Sequence, residues 1–149
     1  MSFKITIHKF FLDSVVQKRA AQQTVQKDLQ NSAANETKST AGDKHETALA
    51  MLQMEQAQLG KKMDVLQQYL LELNSIELDK KQETVKHGSL IKTTDCYFYI
   101  SAALGKINIE GEVVYAISIK SPLGNLFLGK KVKDSVSFNN TIYTILELL

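Results

Sequence analysis

Two carboxylates, Asp43 and Glu46, stand three residues apart in the segment Gly42-Asp43-Lys44-His45-Glu46. On a helix, that spacing puts both on one face. The pattern admits two readings. Asp43 can accept backbone N–H bonds at the start of a helix while Glu46 reaches back, a capping arrangement that also suits the positive end of the helix dipole. Alternatively, the pair offers hard oxygen ligands to Mg²⁺. Two carboxylates cannot fill an octahedral shell, so they would complete a metal site belonging to another molecule. Rival chemistry is sparse. Cys96 is the single cysteine, which excludes an internal disulfide and fits a reducing compartment. His8, His45 and His87 are scattered. No nucleophile–base pair, phosphate-cradling glycine loop or zinc spacing is present. The expectation is a protein that is not itself an enzyme and carries no cofactor of its own.

The elements around the pair explain its position. From Leu49 onward, Leu52, Gln56, Leu59, Met63, Leu66, Leu70 and Leu73 alternate spacings of three and four, a heptad seam broken only by Gln56. The seam predicts a helix from about residue 44 to about residue 80, roughly 50 Å long at 1.5 Å per residue. Gly60 lies inside it. Upstream, residues 10–34 read as a first helix with Phe11, Val15, Val25 and Leu29 on one face, interrupted by Lys18 and Gln22. Residues 3–9 alternate apolar and polar and permit either a strand or the opening of that helix. Thr37 to Glu46 is rich in turn and cap residues. Two helices joined by a short polar turn form an antiparallel hairpin most simply, with an intermolecular parallel dimer through the leucine seam as the rival.

Composition changes near residue 85. Beyond it lie β-branched and aromatic residues, five glycines and the only proline, Pro122. SLIKT, CYFYISA, KINIEG with VVYAISI, VSF and TIYTILEL read as short strands. Glu110-Gly111 and Asn139-Asn140 are hairpin turns. Ser121 caps a short helix with Pro122 at its first position, ending near Gly129. Lys130, Lys131 and Lys133 follow as a basic run, either a solvated turn or a partner-binding patch. The expected fold is therefore α+β. Residues 1–83 form an antiparallel helical hairpin (coiled coil) with its tip at about 36–46, and residues 84–149 form a small antiparallel β domain with a short helix.

The 149 residues carry a formal net charge of +2, too little to bind nucleic acid through bulk charge. No signal peptide is read at the N-terminus, and no apolar run approaches the length of about 20 residues needed to span a membrane. The expectation is a soluble, cytoplasmic monomer with no membrane partner.

A hairpin with an acidic tip and a β-rich C-terminal domain resembles the bacterial Gre transcript cleavage factors. Gly42-Asp43-Lys44-His45-Glu46 looks like the family's Gly-Asp-x-x-Glu tip. Ser121-Pro122-Leu123-Gly124 and Leu128-Gly129-Lys130-Lys131-Val132-Lys133-Asp134 look like its Ser-Pro, short-helix, Gly-Lys and acidic-turn segment. More narrowly, KSTAGDKHETALAMLQMEQAQL looks like the small Gre-like proteins of Bacteroidetes-type bacteria. The resemblance implies an FKBP-like C-terminal domain and a hairpin inserted into the secondary channel of bacterial RNA polymerase. It implies that Asp43 and Glu46 help hold a catalytic Mg²⁺ there, so that backtracked RNA is cleaved near its 3′ end, and that Ser121, Pro122, Lys130 and Lys131 contact the polymerase. This chain departs from the family in lacking a further tip acid, in the positive charge of Lys44 and His45, and in Lys133 where a glycine is usual. A channel-binding regulator that does not stimulate cleavage, a prolyl isomerase and a coiled-coil dimer are the alternatives.

Overall fold

The computed structural model of the protein describes residues 2–36 and 43–149. Among them, α1 (Phe3–Glu36) and α2 (Asp43–Asn74) are followed by β1 (Leu90–Lys92), β2 (Tyr97–Ile100), β3 (Gly105–Ile109), β4 (Glu112–Ile117), α3 (Pro122–Phe127), β5 (Ser135–Phe138), β6 (Thr141–Thr144) and β7 (Glu147–Leu148). This is the expected α+β order of two long helices, then strands with one short helix. No described helix is long and apolar enough to cross a membrane.

Chain packing divides the protein into two compact units, residues 13–70 and residues 1–12 with 71–149. The first, the helical unit, is built on the heptad seam. Leu59, Leu66 and Leu70 are buried, and Leu49, Leu52, Gln56 and Met63 are half-buried, whereas Met51, Met54 and Val65 beside them are exposed. From α1 come buried Val15 and half-buried Gln22 and Leu29. Val25, expected on this face, is exposed, so the seam runs through Gln22 and bypasses it. Only six residues separate α1 from α2, a reach of at most about 25 Å and half a helix length. The helices of one chain must therefore run antiparallel. Accordingly, Lys18 and Gln22 share a groove with Lys62, Val65 and Leu66, at similar distances from the connection.

The second unit holds a five-stranded sheet in the order β3-β4-β2-β1-β7 and a β5–β6 ribbon. Three of the four sheet pairings are antiparallel, but the central β2–β4 pairing is parallel, with Phe98 opposite Tyr115. The purely antiparallel expectation misses this pair because β4 returns between β3 and β2. Both two-residue turns read in the sequence form. Glu110 (φ 52°) and Gly111 (φ 80°) join β3 to β4, and Asn139 (φ 49°) and Asn140 (φ 63°) join β5 to β6. Left-handed values at both central positions give the turn whose twist matches a hairpin.

Alternation gives the sheet two buried faces. Phe98, Ile100, Ile91 and Leu148 pack with Phe127 of α3 and Tyr143 of β6 on one. The Phe98 ring lies 5.2 Å from both Phe127 and Tyr143. Tyr97 and Tyr99 face the other way and meet the first turns of α1, with Phe3 edge-on to Tyr97 at 5.0 Å and Phe11 stacked on Tyr99 at 6.4 Å. Residues 3–9, open to either reading in sequence, are thus helix. Ser2 caps them, its Oγ accepting from Ile5 N–H at 3.2 Å. The second helix ends at Asn74, six residues short of the expected end. There the Glu72 carbonyl accepts from Ser75 Oγ (2.8 Å) and His87 Nε2 (2.9 Å), side-chain bonds that terminate the helix.

Candidate functional site

Asp43 is the first helical residue of α2, and its side chain lies outside the described residues, as does the segment 37–42. Glu46 follows three residues later in the same first turn, exposed to solvent. The two positions are three residues apart in the first turn, at the positive end of a 32-residue helix. The hard oxygen donors of carboxylates suit Mg²⁺, but two of them leave most of an octahedral shell to be supplied from elsewhere. Among the described residues, no group of three or more His, Cys, Asp or Glu side chains is arranged to hold a metal ion.

Ser121, Pro122, Lys130 and Lys131 belong to the other unit: Pro122 opens α3, Ser121 precedes it, and Lys130 and Lys131 follow it. Ser121 Oγ accepts from Gly124 N–H at 3.1 Å and donates to Ser118 O at 2.6 Å, and Pro122 occupies the first helical turn, where a missing N–H costs nothing. Gly124 is required by space, because a Cβ there would collide with the Ser118 carbonyl. Lys130 and Lys131 expose their side chains while their backbones are fixed. Lys130 O accepts from Val85 N–H at 2.8 Å, and Lys131 N–H donates to Asp134 Oδ2 at 2.8 Å. Lys133, two residues on, has φ 80°, a conformation natural to glycine and strained for lysine. Its N–H donates to Ile145 O at 2.8 Å, which locks the strained turn to the closing strands.

Sequence reasoning missed a third group. Lys4 and His8, one helical turn apart on α1, are both buried against β2. His8 Nδ1 lies 2.6 Å from the Tyr99 hydroxyl, and Tyr99 is fully enclosed. Burial, and then the nearby Lys4 ammonium, push the His8 imidazole below its ordinary value, burial pushes the Lys4 amine down, and burial pushes the Tyr99 phenol up. The Lys4 Nζ finds no hydrogen-bond partner. All three groups are therefore driven toward their neutral forms. The signal was present in sequence: on a helix, Lys4, His8, Phe11 and Val15 continue one face. Cys96 is buried, its thiol pushed up chiefly by burial, as expected of a small core residue without a catalytic partner.

Compared with known proteins, the sequence matches no family model and no curated protein. Among solved structures, one described as that of the transcription factor Gfh1 is similar over 92% of this chain and 92% of its own, with 16% sequence identity and a TM-score of 0.38. A likeness this distant carries no functional argument.

Proposed function

We propose that the protein is a Gre-type transcription factor, similar to the small Gre-like proteins of Bacteroidetes-type bacteria. In this reading it enters the secondary channel of bacterial RNA polymerase with its helical unit and stimulates Mg²⁺-dependent cleavage of backtracked RNA. The observation that carries it is the beginning of α2. Asp43 and Glu46 fall in one turn, on one face, at the end of a helix of roughly 50 Å, with Glu46 open to solvent. A slim pair of helices can reach a recessed site closed to a globular domain. Asp43 and Glu46 would lend oxygen ligands to a metal held mainly by the polymerase. That ion supplies Lewis-acid chemistry and an activated water when bound. The chain's own work is to carry two carboxylates to the site and hold them at fixed spacing. Ser121 and Pro122 set α3, and Lys130 and Lys131 present cations from a fixed turn to the channel rim. The protein acts as a cytoplasmic monomer, touches the RNA 3′ end only indirectly, and has neither an active site nor a cofactor of its own.

A second reading keeps the channel and drops the cleavage. Lys44 and His45 lie between the two acids in sequence and oppose metal binding by charge. The deciding assay adds the protein to backtracked elongation complexes of its own polymerase. Under the first reading, Mg²⁺-dependent transcript shortening appears with the native chain and disappears with Asp43→Ala or Glu46→Ala. Polymerase binding without shortening would leave only the second reading. Absence of binding would remove both.

A further inference from the structure

The sheet-bearing unit contains a cavity of about 670 Å³ that none of the residues assigned above to cleavage or polymerase contact lines. Its size is that of a site for a small ligand or a few side chains. Phe3, Leu78, Tyr97, Leu148 and Leu149 form its apolar part, the two rings meeting edge to face. The exposed part is charged. Asp79, Glu110, Glu112 and Glu147 contribute four carboxylates, and among the described residues none of the four is in an ion pair. Two exposed lysines face them. One of them, Lys80, also lies 3.5 Å from exposed Glu77, outside the lining, so four carboxylates face two exposed lysines. Lys92 is opposite Glu147 in the sheet register but does not line the cavity. A protein of net charge +2 thus carries a locally acidic bowl.

Lys4, a buried residue, also lines the cavity. Its Nζ is sealed from solvent and unpartnered, so a cationic group brought to that depth would be poorly solvated. Cationic groups belong at the carboxylate rim and an apolar group against Phe3 and Tyr97, where the ring faces also favour a neighbouring guanidinium or ammonium. We propose that this cavity docks a basic peptide segment of a partner protein, an aromatic or leucine side chain flanked by Arg or Lys. The site is independent of the channel reading, and its charge complementarity gives both selectivity and salt dependence.

The test is an NMR titration of the full-length protein with acetyl-Arg-Leu-Arg-Phe-Arg-amide, and in parallel with the charge-reversed acetyl-Glu-Leu-Glu-Phe-Glu-amide. The basic peptide should bind, more weakly as salt rises, and shift resonances of Phe3, Tyr97 and Glu112. The triple variant E110Q/E112Q/E147Q replaces only exposed side chains and should weaken binding by about fivefold or more. The wild-type spectrum outside the cavity serves as its folding control. No binding, equal or tighter binding of the acidic peptide, shifts confined elsewhere, or unchanged affinity in the triple variant would each overturn the proposal. So would self-association in sedimentation that the triple variant abolishes, because the occupant would then be a second copy of the chain.

Discussion

The two units are stabilised in different ways. In the sheet-bearing unit, both faces of the sheet are covered, aromatic rings pack on each, and even Lys4, His8 and Gln82 are drawn inside. In the helical unit, the buried described residues are Val15, Leu59, Leu66 and Leu70, and the rest of the seam is only half-buried. The sheet-bearing unit depends on close packing, where a single atom out of place is felt. The helical unit depends on one seam and on the intrinsic preference of its residues for helix, where an added atom meets little resistance. The same methyl group should therefore have opposite effects in the two.

Gly124→Ala gives the largest effect. The new Cβ meets the Ser118 carbonyl and crowds the Ser121 cap, so α3 must shift off the Phe98–Phe127 contact. A loss of about 3 kcal/mol is expected, read as a fall in the urea midpoint followed by near-ultraviolet circular dichroism. If the variant matches the wild type, the sheet-bearing unit is not close-packed at α3.

The next effect is a pH dependence. The folded state holds the His8 imidazole below its ordinary value of 6.5, so the unfolded chain takes up the proton first as pH falls. Stability contributed by His8 is complete above about 6.5 and declines as pH drops through that value toward the lower folded one. Lys4, also pushed down, acts with the same sign at alkaline pH. Urea midpoints measured from pH 7 to pH 5.5 should fall in the wild type and stay flatter in His8→Gln. Equal slopes would mean that His8 charges freely in the fold. At pH 7, Tyr99→Phe leaves His8 Nδ1 without its hydroxyl partner and should cost about 1–2 kcal/mol.

Gly60→Ala tests the helical unit. A Cβ at Gly60 has nothing within 4 Å, so the substitution should stabilise by about 1 kcal/mol through helix preference alone, seen as higher helicity on warming. Destabilisation would show that the seam is more tightly packed than its half-buried residues indicate. The smallest effect is expected at Lys133, where Lys133→Gly relieves the positive φ and should stabilise by roughly 0.5–1 kcal/mol, read as a higher urea midpoint. No gain would mean that the surrounding turn relaxes the lysine already.

What sequence could reveal follows the same division. The seam from Leu49 to Leu73 was legible because one periodicity fits a helix and no strand. The Glu110-Gly111 and Asn139-Asn140 turns and the Ser121-Pro122 cap were legible because local backbone chemistry decides them. The parallel β2–β4 pair was not, since alternation along a strand is the same whichever neighbour it meets. The strand and helix readings of residues 3–9 are equally periodic over so few residues, so the burial of Lys4 and His8 depended on a contact with Tyr99, 91 residues away from His8. At the candidate site, Asp43 and Glu46 were legible as residue types at a spacing. Their use depends on a partner's atoms, which no sequence pattern of this chain contains.

The outer border of the sheet has a consequence for handling the protein. β3 pairs with β4 on one side only, so its other row of amide and carbonyl groups is unpaired within the sheet. An open strand of this kind is a template for another chain. Here it is short, begins at Gly105, and carries Lys106, whose Nζ sits 6.0 Å from the Tyr115 ring centre. A charge on an open border, here at the second residue of five, disfavours the pairing of identical borders. Replacing Lys106 with an apolar residue should therefore raise the tendency of concentrated protein to associate, read by light scattering.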